Sequence, residues 1–112
     1  APVDPASRLE NRLFQAAATP YLYTASQLAF GLDGIAARRD PGPPADTPYA
    51  TEAPLLPRSL GEALSALEAS DGARAAFGEA FVDYYLRLKR AEIARFEAEV
   101  SEWEHREYFE LF

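Results

Sequence analysis

The chain has 112 residues, a formal net charge of −7 and no cysteine. That length serves one domain with a modest core; the acidic balance repels phosphate backbones and argues against a nucleic-acid partner; the absence of cysteine excludes disulfides and thiolate metal sites. No apolar run reaches the roughly 18 residues of a membrane span, and the N-terminus lacks the basic-then-apolar layout of a signal peptide, so a cytoplasmic protein with no membrane partner is expected. The chain has no methionine and opens on Ala-Pro-Val-Asp-Pro, which reads either as loss of an initiator before Ala1 or as a start inside a larger protein.

Residues 1 to 6 form a Pro-rich lead-in. In "SRLENRLF", residues 7 to 14, Arg8, Glu10 and Arg12 alternate with Leu9 and Leu13. Spacing of two is strand spacing, which puts the three charges on one face. The bland reading is an exposed strand face. The sharper one is a polar site where two guanidinium groups and a carboxylate converge on an anion and a cation. A strand at 8–14 would have no partner strand in these residues, so it would need another chain or a sheet outside them.

Thr19-Pro20 opens a helix, with Thr as N-cap and Pro in the first turn. Leu22, Ala25, Ala29 and Leu32 recur at helical spacing, widened by Leu28 and Ile35. The helix, spanning 19–39, is expected to end near Arg38 or Arg39, where cations suit the helix dipole. Residues 40–57 hold six prolines in eighteen residues and read as a long loop. The remainder, 59–112, reads as helical. Ser59 to Glu62 is a capping box before Leu60, Ala63, Leu64 and Leu67. Ser70 or Asp71 caps the next helix, where Phe77, Phe81, Tyr84, Leu88 and Ala91 make one stripe, continued by Phe96 and Val100. As a single helix from Asp71 to Val100 it would span roughly 45 Å. Ser101 to Glu104 is a second capping box before a last short helix.

The aromatics at helical spacing read as core. His105, the single histidine, has no partner at catalytic spacing and reads as solvated. "LKRAEIARFEAEV" mixes both charge signs and reads as an exposed, ion-paired helix side. The fold class expected for the isolated chain is mostly α: about four helices plus one N-terminal strand.

Four stretches carry a resemblance: "SRLENRL", "TPYLYTASQLAFGLDGIAARRDPGPP", "LPRSLGEALSALEAS" and "FVDYYLRLKRAEIARFEAEVSEWEHREYFELF". In this order and spacing they resemble the C-terminal part of the glutamine synthetase family, from about residue 7 to the end. The resemblance implies the C-terminal portion of an α+β catalytic domain, with residues 8–14 as the last active-site strand. It implies an ATP-dependent ligase that joins the γ-carboxylate of glutamate to ammonia or an amine through γ-glutamyl phosphate, with Mg or Mn ions, in a homo-oligomer of stacked rings. Matched onto the family's Arg-x-Glu-x-Arg, Glu10 would be a metal ligand on the ATP side, Arg8 would bind the transferred phosphate of the cofactor, and Arg12 would be catalytic, facing glutamate or the phosphoryl group. A hard cation held by carboxylate and phosphate oxygens, flanked by arginine forks, suits phosphoryl transfer.

The chain departs from the family pattern at Thr19, where the family has Asn, and at Gln15, where Gly is frequent. Tyr49 lies near the position of the family's adenylylated tyrosine, but "PYAT" does not match its surroundings, so no adenylylation is expected. The ending "SEWEHREYFELF" looks more like the γ-glutamyl-amine ligases than the nitrogen-assimilating enzymes. Trp103 to Phe112 is expected to dock on a neighbouring subunit. One carboxylate is too few for a Mg²⁺ site, so the isolated chain is expected to be inactive. A stand-alone helical module for assembly or partner binding is the alternative, and a non-enzymatic relative with a dead site is a third class.

Overall fold

The computed structural model describes residues 4–8, 10–11, 17–44, 46–47 and 54–111, and is mostly helical, with five helices among them. The chain divides into two compact units, Ala1–Pro41 and Gly42–Phe112. Among the described residues, no helix is long and apolar enough to cross a membrane.

The first unit is built on α1, Pro20–Ala36. Pro20 sits in its first turn as expected, but Thr19 caps with backbone alone: its carbonyl accepts from Tyr23 N at 3.0 Å, and its side chain makes no capping hydrogen bond. The helix ends before the two arginines. Arg38 has φ 51°, the left-handed conformation usually left to glycine. Its N–H donates to Ile35 O at 3.1 Å, and Arg39 N–H donates to Gly34 O at 2.9 Å. That pair of bonds is a Schellman closure, and it satisfies the carbonyls the helix end would otherwise orphan. Arg39 then pairs with Asp33 at 2.9 Å. No residue of α1 is buried, and Tyr21, Leu32 and Ile35 stay largely exposed.

The expected strand at 8–14 has no counterpart at Arg8, Glu10 or Asn11, none of which lies in a strand. A strand needs a partner for its backbone groups. Leu9 and residues 12–14, including Arg12, lie outside the described residues.

The second unit packs α2, Leu60–Glu68, and α3, Asp71–Phe77, against α4, Glu79–Glu97. Ser59 accepts from Glu62 N at 3.1 Å, and the Glu62 carboxylate reaches back to Arg58 N at 2.8 Å, one residue before the usual box partner. Ser70 caps α3 by accepting from Ala73 N at 3.1 Å. Leu64 of α2 meets Val82 and Leu86 of α4, flanked by Leu67, Phe77, Tyr85 and Ile93. Each fully buried aliphatic side chain contributes about 1.5–3 kcal/mol.

The single helix expected from Asp71 to Val100 is two. Gly78, at φ 84° and ψ 148°, breaks it, and α4 ends at Glu97. Arg74 spans the break. Its guanidinium donates to Glu68 O at 3.2 Å on α2, to Asp83 at 3.0 Å on α4, and to Glu79. Hydrogen bonds to Asp83 and then Glu79 raise its pKa further above the ordinary arginine range.

The core stripe also shifts. Val82 and Leu86 are buried, whereas Phe81, Tyr84 and Leu88 of the expected stripe are 38%, 66% and 41% exposed. At 3.6 residues per turn the two rows lie about 150° apart around α4. Phe81 of the exposed row is ordered all the same: its ring lies between those of the half-buried Phe77 and Tyr85, at 5.9 and 6.1 Å, and the Lys89 ammonium lies 5.9 Å from the Tyr85 ring centre.

Last comes α5, Glu102–Tyr108, opened by the expected capping box: Glu104 N donates to Ser101 Oγ at 3.1 Å, and Ser101 N donates to Glu104 Oε2 at 2.8 Å. His105 is exposed and stacks on Phe109 at 4.6 Å, away from any catalytic arrangement among the described residues.

Candidate functional site

The charged segment enters through a turn. Asp4 accepts from Ser7 N with its carbonyl and from Ala6 N with its carboxylate, each at 2.8 Å. Directly beyond the turn, Arg8 and Glu10 reach each other. Arg8 Nε and Nη2 both donate to Glu10 Oε2 at 3.3 Å. Residues two apart on an extended chain share a side, which is what this contact needs. The two side chains are 70% and 43% exposed, so the pair faces outward from its own unit.

Asn11, the next residue, turns to α1. Its Nδ2 donates to Gln27 Oε1 at 2.9 Å. Asn11, Tyr23, Thr24 and Gln27 line a recess of about 220 Å³ beside this bond. Tyr23 and Gln27 are one helical turn apart and share a face. Neither Asn11 nor Gln27 belongs to a motif in the sequence. No sequence signal marks them, because Gln27 falls opposite the apolar stripe of Leu22, Ala25, Ala29 and Leu32, where a polar residue is expected.

The structure therefore brings Arg8 and Glu10 together, and Arg12 lies outside the described residues. A guanidinium beside a carboxylate can hold an anionic oxygen and a cation side by side. It cannot by itself cage a divalent ion, which needs several oxygen ligands. Among the described residues no group of three His, Cys, Asp or Glu side chains is placed to hold a metal. Glu10 fits one ligand of a site completed by residues elsewhere, and no more.

The charged clusters of the second unit are of another kind. Arg74 pairs with Asp83 and Arg90 with Glu68, and these pairs join the helices to one another.

A segment with this charge alternation, followed by a Pro-opened, Ala-rich helix and the capped C-terminal helices, belongs to a family of ligase domains. Residues 2–108 match the family "glutamine synthetase, catalytic domain", and the chain belongs to that family. Among similar proteins, the gamma-glutamylanilide synthase of an Acinetobacter species is 49% identical, the match covering 96% of this chain and 24% of that protein. The glutamate–methylamine ligase of Methyloversatilis universalis is 41% identical, covering 96% and 26%. A glutamine synthetase of Rhizobium leguminosarum is 39% identical, covering 87% and 24%. These relatives are glutamine synthetase-type ligases, and the chain spans about a quarter of their length.

Proposed function

We propose that this chain is the C-terminal part of an ATP-dependent ligase that joins the γ-carboxylate of glutamate to an amine through γ-glutamyl phosphate. The observation that carries the reading is the Arg8–Glu10 pair: a guanidinium and a carboxylate side by side, at the family's spacing, in a chain of that family. Likeness to a gamma-glutamylanilide synthase and a glutamate–methylamine ligase supports an amine acceptor over ammonia.

Glu10 would supply one carboxylate to a Mg²⁺ or Mn²⁺ ion, Arg8 would bind the phosphate of ATP that is transferred, and Arg12 would orient glutamate or the phosphoryl group. The bound ion would neutralise phosphate charge. Arg8 and Arg12 would do the same with fixed donors, since phosphoryl transfer depends on positioning and electrostatics. The amine then attacks the acyl carbon and inorganic phosphate leaves. The remaining metal ligands and the nucleotide pocket would come from other residues of the protein, so the 112 residues alone would not catalyse the reaction.

The experiment is amine-dependent ADP release by the full-length protein. Glu10→Gln should raise the Mg²⁺ needed for half-maximal rate at least about tenfold, and Arg12→Ala should lower kcat about a hundredfold. Wild-type behaviour in both variants would overturn the site assignment. In assembly, the exposed Trp103, Phe109 and Leu111 support a homo-oligomer in which the tail docks on a neighbouring subunit. Removal of residues 103–112 should then lower the native mass, and an unchanged mass would count against it.

A further inference from the structure

The hydrogen bond between Asn11 and Gln27 is neither a helix cap nor a surface ion pair. It joins side chains 16 residues apart at 2.9 Å, and its Asn11 is the residue directly after Glu10 of the Arg8–Glu10 pair. Arg8 and Glu10 meet on one side of the segment, and the residue after Glu10 is turned to α1. An apolar residue at position 11 would pack on α1 in any of several registers. An amide-to-amide bond is directional and narrows that choice.

Register matters here more than at most positions. A slip of one residue on an extended segment sends every side chain to the opposite side. It would bring Glu10 or Arg12 against Gln27 and carry Arg8 and Glu10 off their common face. Gln27 could bond either Glu10 or Arg12, so a slip would also spend a charged side chain of the site on α1, whereas the observed register, with Asn11 on Gln27, leaves Arg8 and Glu10 to each other.

We propose that Gln27 is a positioning residue: through Asn11 it fixes the register that puts Glu10 and Arg8 on the metal- and phosphate-facing side. This rests on the ligase reading for what those two side chains do. Gln27 touches neither substrate nor metal. Its effect is to keep Glu10 from presenting the wrong side.

The test uses the fact that either amide can turn end for end. Gln27→Glu still accepts from Asn11, and Asn11→Asp still accepts from the Gln27 amide. Together the two substitutions set carboxylate against carboxylate and break the bond. In the full-length protein, Mn²⁺ binding is measured by electron paramagnetic resonance, and the Mg²⁺ dependence of amine-dependent ADP release is measured in parallel. Each single variant should stay within about threefold of wild type in metal affinity, whereas the double variant should bind Mn²⁺ about tenfold more weakly than the product of the singles predicts. A double variant that equals that product overturns the proposal. Should the double variant fail to fold, Gln27→Leu replaces it, with the same tenfold loss expected and rescue expected from Gln27→Glu. Unchanged Mn²⁺ binding in Gln27→Leu overturns the proposal equally. A wild type that binds Mn²⁺ but ligates no amine would overturn the ligase reading, and the non-additive loss of binding would still decide the positioning role.

Discussion

Glu68 on α2 and Arg90 on α4 close on each other across 22 residues of sequence, Nη1 lying 3.1 Å from Oε1 and Nη2 2.5 Å from Oε2. This fork lies at the edge of the Leu64–Val82–Leu86 cluster and joins the two helices that form it. The Arg90 hydrogen bonds, then its charge, hold the Glu68 carboxyl below the usual carboxylate range. Glu104 is lowered as well, first by the Ser101 backbone N–H it accepts. A carboxyl whose pKa is lower folded than unfolded stabilises the fold above the unfolded value, about 4.3 for Glu. That contribution is lost as pH falls through the folded value. Thermal melts followed by circular dichroism should therefore be flat near neutral pH and decline below about pH 4.5. Arg90→Gln should shrink that decline by lowering the neutral melt by the same amount, and the amount should be small because both partners are 49% exposed and screened by solvent.

Gly78→Ala should destabilise the second unit by about 1–3 kcal/mol in a denaturant melt. An added methyl would meet nothing within 4 Å, so crowding plays no part. The whole effect comes from φ 84°, which a residue with a Cβ adopts only under strain. Gly78→Asn should lose about as much as Gly78→Ala, since Asn tolerates the left-handed helical region but not φ 84° with ψ 148°, which is essentially confined to glycine.

Substitutions against the inner row of α4 and on its outer row should separate. Leu64, 3% exposed, packs on the inner row, and Leu64→Ala should destabilise by about 2–5 kcal/mol. Tyr84, 66% exposed on the outer row, should tolerate Ala within about 0.5 kcal/mol in the 112-residue chain. Equal losses from the two, read from urea midpoints, would contradict the placement of the core.

Arg38→Gly should stabilise the end of α1 by about 0.5–1 kcal/mol, the penalty of a left-handed non-glycine residue less the flexibility glycine adds to the unfolded chain. The check is amide hydrogen exchange at Arg39, whose N–H closes the Schellman bond to Gly34. Protection there should rise, and a fall would show that the Arg38 side chain contributes more than its backbone strain takes away.

Helix starts were legible because caps are local. Pro20, Ser59, Ser70 and Ser101 each mark a start that the structure keeps. The break at Gly78 was not, since apolar spacing runs through it from Phe77 to Phe81. Its one sequence signal is the glycine itself, inside a helical pattern where it weakens the helix. The core row was misplaced for a different reason. α4 carries two apolar rows, and periodicity shows that a row is apolar without showing which row finds a partner. Leu64 and Leu67 on α2 decide that, and the partner is visible only in the packing. At the candidate site, the pairing of Arg8 with Glu10 follows from spacing of two. The bond from Asn11 to Gln27 does not, because nothing local says that an asparagine will meet a glutamine 16 residues on.

That separation has a consequence for the order in which the protein assembles. A loop of 16 residues closes on a timescale near 10–100 ns, the time for a ten-residue loop, and each doubling of loop length adds only about 0.6 kcal/mol of closure entropy. A bond between Asn11 and Gln27 would form and test its register long before strands brought from a distance could pair with the segment. The charged segment would then reach its neighbours already in phase, so that slow, long-range pairing selects a partner and not an alignment.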